Sequence, residues 1–169
     1  ANLRDVLSIA RIYPDDRLIG MLPPFHSFGI AVTVAMPVCA GIRTVYHPNP
    51  TEGGMVARLI EAYKVSLLVG TPTFLGGIVR AAGDRQLASL RLVVSGAEKC
   101  PAQLFETVAR RWPGMVILEG YGITECSPVV SANDENEPRP GTIGKVLPSL
   151  RHAVVDLDGG RRVAPAQHR

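Results

Sequence analysis

The sequence predicts an α/β fold: a mostly parallel sheet with helices on both faces, and the start of a β-rich subdomain at the C-terminal end. Two observations carry this. Short apolar runs alternate with stretches of helical periodicity as far as Pro128, the rhythm of a sheet whose parallel strands are joined by crossover helices. Beyond Pro128 that rhythm gives way to short apolar pairs, an acidic loop and glycines. A third observation concerns material. The 169 residues are 46% hydrophobic but only 5% aromatic, so one core of real size must be built from Val, Leu, Ile and Ala.

Asn2 is placed to cap a helix from Leu3, with Leu3, Val6, Leu7 and Ala10 on one face. Arg17 to Leu22 reads as a buried strand stopped by Pro23-Pro24. Ser27 to Ala40 reads as an apolar helix with a kink or break at Pro37, which lacks the N–H that a helix interior needs. Ile42 to Tyr46 is the next strand, ended by His47-Pro48-Asn49-Pro50. Thr51 then caps a helix whose apolar residues Val56, Leu59, Ile60 and Tyr63 keep helical spacing. Val65 to Val69 is a strand, and Pro72 suits the first turn of the helix that follows. Leu90 to Val94 leads to a helix with Pro101 at its start and Leu104, Phe105, Val108 and Trp112 inward. Pro113-Gly114 stops it before a strand at Met115 to Leu118. The last part holds Val129-Val130, an acidic loop from Asn133 to Pro138, and a strand from His152 to Leu157. The domain reading is therefore 1–128 for the α/β unit and 129–169 for the beginning of the β-rich one.

Composition removes several functions. A net charge of +3, with Arg110-Arg111 and Arg161-Arg162 as the densest basic spots, is too weak and scattered for nucleic-acid binding. Cys39, Cys100 and Cys126 are odd in number and far apart, which argues against a zinc site or a disulfide framework and fits a reducing compartment. Cys126 adjoins Glu125, whose charge disfavours a thiolate, so packing suits it better than nucleophilic chemistry. No apolar stretch is long enough to be a transmembrane helix, and no signal peptide is present, although a chain starting Ala-Asn can have lost its true N-terminus.

The chemistry concentrates at the C-terminal ends of the expected strands, where open α/β sheets bind ligands. Phe25-His26, Gly70-Thr71-Pro72, Ser95-Gly96-Ala97 and Gly120-Tyr121-Gly122 all fall there and should line one rim. In Glu119-Gly120-Tyr121-Gly122-Ile123-Thr124-Glu125, tyrosine offers a flat face for a base, threonine a donor for a phosphate oxygen and glutamate a hard oxygen for Mg²⁺. The same run is also compatible with an ordinary strand-end turn.

Three segments, Leu22-Pro23-Pro24-Phe25-His26-Ser27-Phe28-Gly29, Leu92-Val93-Val94-Ser95-Gly96-Ala97-Glu98-Lys99-Cys100-Pro101 and the Gly-Tyr-Gly-Ile-Thr-Glu-Cys-Ser-Pro run from Gly120, resemble the adenylate-forming (AMP-binding) superfamily in order and separation. The chain looks closest to its bacterial acyl-[acyl-carrier-protein] synthetase/2-acylglycerophosphoethanolamine acyltransferase group and to long-chain fatty acid–CoA ligases. The likeness runs from about residue 2 to about 157 and includes Gly41 to Pro50. It implies a ligase that forms an acyl-adenylate from ATP and a fatty acid and passes the acyl group to CoA or acyl carrier protein, coupled in some relatives to lysophospholipid acylation. It implies adenine held between Gly96-Ala97-Glu98 and Tyr121-Gly122, Thr124 on the α-phosphate, and Glu125 on Mg²⁺. His26 would stand at the mouth of an acyl tunnel walled by Phe28, Gly29, Val32, Thr71 and Pro72. The expected setting is cytoplasmic, at the inner face of the bacterial membrane for the full-length protein.

The resemblance also shows what is missing. Relatives carry a Gly/Ser/Thr-rich phosphate loop near a lysine, a Tyr-x-Thr-Gly-Asp segment for the ribose, and a C-terminal domain with a catalytic lysine. Thr51-Glu52-Gly53-Gly54 and Asp156-Leu157-Asp158 do not match the first two, and Lys64, Lys99 and Lys145 do not supply the third. The expectation is a piece of the large domain, inactive alone. The alternative is a module that binds nucleotide or acyl group without catalysis. A dinucleotide-binding dehydrogenase is excluded by the lack of a Gly-x-Gly-x-x-Gly turn opening a helix.

Overall fold

A computed structural model describes residues 2–162. Seven strands form one sheet in the order β2-β1-β3-β4-β5-β6-β7. β1 (Arg17–Gly20), β2 (Arg43–Tyr46), β3 (Leu67–Gly70), β4 (Leu92–Ser95) and β5 (Val116–Gly122) pair in parallel, while β6 (Val129–Ala132) and β7 (Lys145–Val146) are antiparallel. The mixed, mostly parallel α/β architecture is the one expected, and the change to antiparallel pairing falls where the sequence rhythm changes.

Period-two alternation sorts the buried residues onto two faces. Ile19, Leu68, Val93 and Ile117 pack with α4 (Gly53–Tyr63), α5 (Pro72–Ala81) and α6 (Ala102–Arg111). Leu18, Leu67, Leu92 and Leu118 pack on the other face with α1 (Asn2–Ile9) and the helical segment from Ser27 to Ala40. Each fully buried Leu or Ile contributes about 1.5–3 kcal/mol of transfer free energy, so the two layers hold the sheet from both sides. α4 and α5 approach so closely that a Cβ on Gly53 would lie 2.6 Å from the Gly77 carbonyl oxygen.

Several local expectations are corrected. The helix from Ser27 does not break at Pro37. It runs as α2 (Ser27–Gly29), a π-helical stretch (Ile30–Ala35) and α3 (Met36–Ala40), the wider turns absorbing the proline. Asn2 lies inside α1, and its amide donates to the carbonyls of Cys126 and Val129 at 3.2 and 2.6 Å instead of capping. Glu52, not Thr51, is the residue before α4, and its carboxylate is turned to His47 and Asn49. β5 continues past Leu118 to Gly122 because its last residues find a second partner in β6. The strand expected at His152 to Leu157 is reduced to a single bridge, Val155 to Arg162, and residues 163–169 lie outside those described.

Away from the C-terminal ends of the parallel strands, one ionic cluster ties distant segments. The Arg91 guanidinium donates to Asp16 at 2.6 and 3.0 Å and to Glu135 at 2.9 Å, and lies 4.6 Å over the Tyr13 ring. Burial opposes ionisation of Asp16. The Arg91 guanidinium, the Ser66 hydroxyl and the Tyr13 N–H outweigh it and hold the carboxyl below its ordinary value of 3.8. A depressed folded-state pKa means this stabilisation is complete above pH 3.8 and is lost as the pH falls further. Arg91→Ala should destabilise by about 3 kcal/mol, since Asp16 is left buried with one charge unpaired. Denaturant melts at neutral pH and again in acid give the check: the deficit should shrink in acid, and a variant as stable as the parent would rule the cluster out as a clamp.

Candidate functional site

A cavity of about 260 Å³ opens on the face covered by α1 and the Ser27–Ala40 segment. Its interior is apolar, with Val6, Leu7, Val32, Met36, Leu92 and Val94 among its walls. Its mouth is formed by His26, Ser27, Gly96, Ala97, Tyr121 and Thr124. Three of the rim segments read from sequence therefore meet around one opening.

Each arrives there for a local reason. β4 and β5 run in parallel with Ser95 opposite Glu119, which sets Gly96 beside Gly120; a Cβ on Gly96 would occupy the space 3.5 Å from the Gly120 carbonyl oxygen and 3.6 Å from the Phe28 ring. Ala97 follows with φ 69°, a left-handed conformation that costs an L-residue roughly 1–2 kcal/mol. That strained turn faces solvent at the mouth. Tyr121 is 46% exposed on the antiparallel end of β5, a flat face open to a planar ligand. Gly122 has a packing reason, because a Cβ there would collide with the Pro128 carbonyl oxygen. Thr124 and Glu125 stand in a 3-10 turn, Thr124–Cys126, that Asn2 secures through the Cys126 carbonyl.

His26 precedes α2, and its Nδ1 accepts the Phe28 N–H at 3.2 Å. In the neutral ring that bond fixes the proton on Nε2, so an exposed donor remains. Ser27, quoted in its motif but assigned no role, bonds through its hydroxyl to the Thr124 hydroxyl at 2.9 Å and so joins the histidine loop to the threonine turn. Nothing in the sequence signals that pairing, which spans 97 positions.

Other residues lie elsewhere. The Glu98 carboxylate accepts from the Thr73 hydroxyl at 2.6 Å and, with Pro72, Arg80 and Lys99, lines a separate open groove between α5 and α6. Thr71 caps α5 by accepting the Phe74 N–H, and Gly29 packs against Pro23, where a Cβ would meet the carbonyl oxygen. Of the expected tunnel walls, Phe28 and Val32 line the cavity, whereas Gly29, Thr71 and Pro72 do not. Glu125 is exposed, and among the described residues no three His, Cys, Asp or Glu side chains gather as a metal cage.

Glu119 carries structural weight that the sequence did not flag. Buried, it accepts N–H groups from Cys100 at 3.4 Å and from Gly141 at 2.5 Å. Beside it, burial and the Glu119 charge push the Cys100 thiol up to about 11, so it stays a neutral packing group at physiological pH.

Residues 1–168 match the AMP-binding enzyme family. Among curated relatives, the p-hydroxybenzoic acid–AMP ligase of Mycobacterium marinum is 32% identical over 149 residues, 88% of this chain and 21% of that protein. The long-chain-fatty-acid–CoA ligase of Bacillus subtilis is 29% identical over 161 residues, 90% of this chain and 28% of that protein. Among solved structures, ATP-bound MatB from Rhodopseudomonas palustris superposes with a TM-score of 0.84 at 25% identity, covering 96% of this chain and 32% of that one. The chain thus belongs to the AMP-binding enzyme family, and it spans between a fifth and a third of the length of these relatives.

The strain at Ala97 gives a direct test of the rim geometry. Ala97→Gly should stabilise by up to about 1 kcal/mol, the left-handed penalty less the entropy glycine adds to the unfolded chain. Ala97→Val should destabilise. Urea midpoints of the two variants decide it; a destabilising glycine would mean that the Ala97 methyl packs more than it strains.

Proposed function

We propose that this member of the AMP-binding enzyme family supplies the base-binding and acid-binding parts of an AMP-forming acid–thiol ligase acting on fatty acids. The observation that carries the reading is the apolar cavity whose mouth is ringed by Gly96, Ala97, Tyr121 and Thr124. A hydrophobic acyl chain fits such walls, and its carboxylate would emerge among donors. Adenine would rest between the Tyr121-Gly122 strand end and Gly96-Ala97, at the space that a Cβ on Gly96 would fill. Thr124 would donate to the α-phosphate. The exposed Nε2–H of His26 would hold the acid's carboxylate at the mouth.

In this reading a carboxylate oxygen attacks the α-phosphorus, the bond to the β,γ-diphosphate breaks, and acyl-adenylate and pyrophosphate result. The thiol of CoA or acyl carrier protein then attacks the acyl carbonyl as a thiolate, and AMP leaves. Glu125 would give Mg²⁺ one carboxylate, with phosphate oxygens and water completing its shell, as that ion favours; bound there it would offset phosphate charge. The ligase names of the Mycobacterium marinum and Bacillus subtilis relatives and the ATP-bound MatB neighbour support activation of a carboxylic acid with ATP. Lysophospholipid acylation would be a further use of the acyl product at the inner membrane face. The division near residue 128 would separate the nucleotide-holding α/β unit, 1–128, from the beginning of a β-rich one, 129–169.

A second reading, binding without chemistry by this chain alone, has its own support. No lysine or arginine is among the described residues around the cavity, so a bound triphosphate would lack cationic partners there. The chain by itself should show no ATP–pyrophosphate exchange with palmitate and Mg²⁺, yet calorimetry should detect palmitate and ATP binding. Exchange well above a boiled control would reject the division of labour, and absence of binding to either ligand would reject the site.

In the full-length enzyme, Glu125→Ala should lower adenylation by roughly 10²-fold or more, the range for losing an electrostatic stabiliser. Tyr121→Ala should instead raise the KM for ATP, because stacking is made in ground and transition states alike. Steady-state kinetics separate the two: Glu125→Ala within about threefold of the parent removes the metal role, and a raised KM for fatty acid in Tyr121→Ala moves the ring to the acyl side.

A further inference from the structure

We infer that Tyr46, on edge strand β2, is a positioning residue that sets the shape of the acyl-binding wall by latching the π-helical stretch Ile30–Ala35. The inference rests on the acyl reading of the cavity above. Val32 and Met36, buried members of this helical segment, form part of the cavity wall. Between them the backbone is π-helical, the Met36 N–H reaching the Ala31 carbonyl five residues back. Pro37 follows and has no N–H, so it cannot donate to the Thr33 carbonyl four residues back, as an α-helical residue would. The Tyr46 hydroxyl donates to that carbonyl instead, at 2.7 Å.

The latch is held at both ends. The Tyr46 ring lies against Gly20 at the end of β1, where a Cβ would come within 2.7 Å of it, so the ring depends on a bare glycine for its seat. Thr33 is buried, and its hydroxyl donates to the Gly29 carbonyl at 2.6 Å, tying the same residue to the turn before it. A wide turn relaxing toward α geometry would lose one residue of its circumference. Side chains after it would swing relative to those before by about one residue's rotation, roughly 100°. Met36 would then no longer share a face with Phe28, eight positions earlier and on the other side of the wide turns, against the cavity. Tyr46, 60% exposed and not among the cavity's lining residues, would act through the wall.

The test is calorimetric binding of octanoate, laurate and palmitate, and of ATP, to the parent chain, Tyr46→Phe, Pro37→Ala and the double variant. Tyr46→Phe should change the ratio of palmitate to octanoate affinity by about fivefold, the fold-change of one ordinary hydrogen bond, with ATP affinity within about twofold of the parent. In the Pro37→Ala background, where residue 37 can donate to Thr33, Tyr46→Phe should leave the ratio unchanged. A Tyr46→Phe effect equal in both backgrounds, an unchanged ratio, or equal loss of acid and ATP affinity would overturn the latch while leaving the acyl cavity standing. A parent chain that binds none of the three acids overturns the acyl cavity and the latch together. Should Tyr46→Phe fail to fold, recovery of folding by added Pro37→Ala supports the latch, and failure to recover overturns it.

Discussion

The arrangement around the rim depends on one buried carboxylate. Glu119 sits where β5 stops pairing in parallel with β4 and begins pairing antiparallel with β6. Its oxygens take N–H groups from Cys100, in the turn after β4, and from Gly141, in the loop before β7, while its backbone carbonyl takes both the N–H and the side-chain amide of Asn133. Burying a carboxylate is costly without such donors. Once they are present, the two kinds of strand pairing, the turn carrying Ala97 and the strand end carrying Tyr121 share one fixed point.

That fixed point explains why the two walls of the mouth can be built from such slight residues. Gly96, Ala97 and Gly122 contribute almost no side-chain surface, so their placement relies on backbone held from behind. Gly122 is pinned by the Pro128 carbonyl, and Ala97 is kept in a left-handed turn by the elements on each side of it. The opposite side of the mouth is tied by the Ser27–Thr124 hydroxyl pair, and the turn beneath by Asn2. Polar groups organise the rim, and apolar alternation organises the sheet under it.

The alternation was legible in the sequence because it is local: Leu18 and Ile19, or Leu92 and Val93, declare two opposite faces within two positions. The five parallel strands, the change of character after Pro128 and the convergence of three rim segments follow from such patterns. The sequence offered no comparable signal for partners fixed by tertiary contact. Asn2 has the type and position of a helix cap, but its amide meets carbonyls more than a hundred positions away, which satisfied it better than a local turn. Pro37 announced a kink or break, yet the helix continues through wider turns, and a tyrosine hydroxyl from β2 bonds to the Thr33 carbonyl. Glu98 lies in a motif that borders the mouth but turns away from it, and Pro72 follows a strand end that does not reach the mouth; both line the α5–α6 groove.

The Asn2 contacts bear on the order in which the molecule comes into being. The bond to Val129 joins groups 127 positions apart, and none of the α1 residues is fully buried. At roughly 5–20 residues per second of synthesis, α1 would emerge several seconds before its partner strand exists. Until then its Leu3 and Leu7 have the sheet face of Leu18, Leu67 and Leu92 to rest on, but not the strand that takes its polar contacts. Fastening of Asn2 is therefore a closing event, and the threonine turn it secures is among the last parts to acquire its shape. A nascent chain stalled before Val129 would carry the parallel sheet and its helices, but not the strand that anchors α1 to the rim.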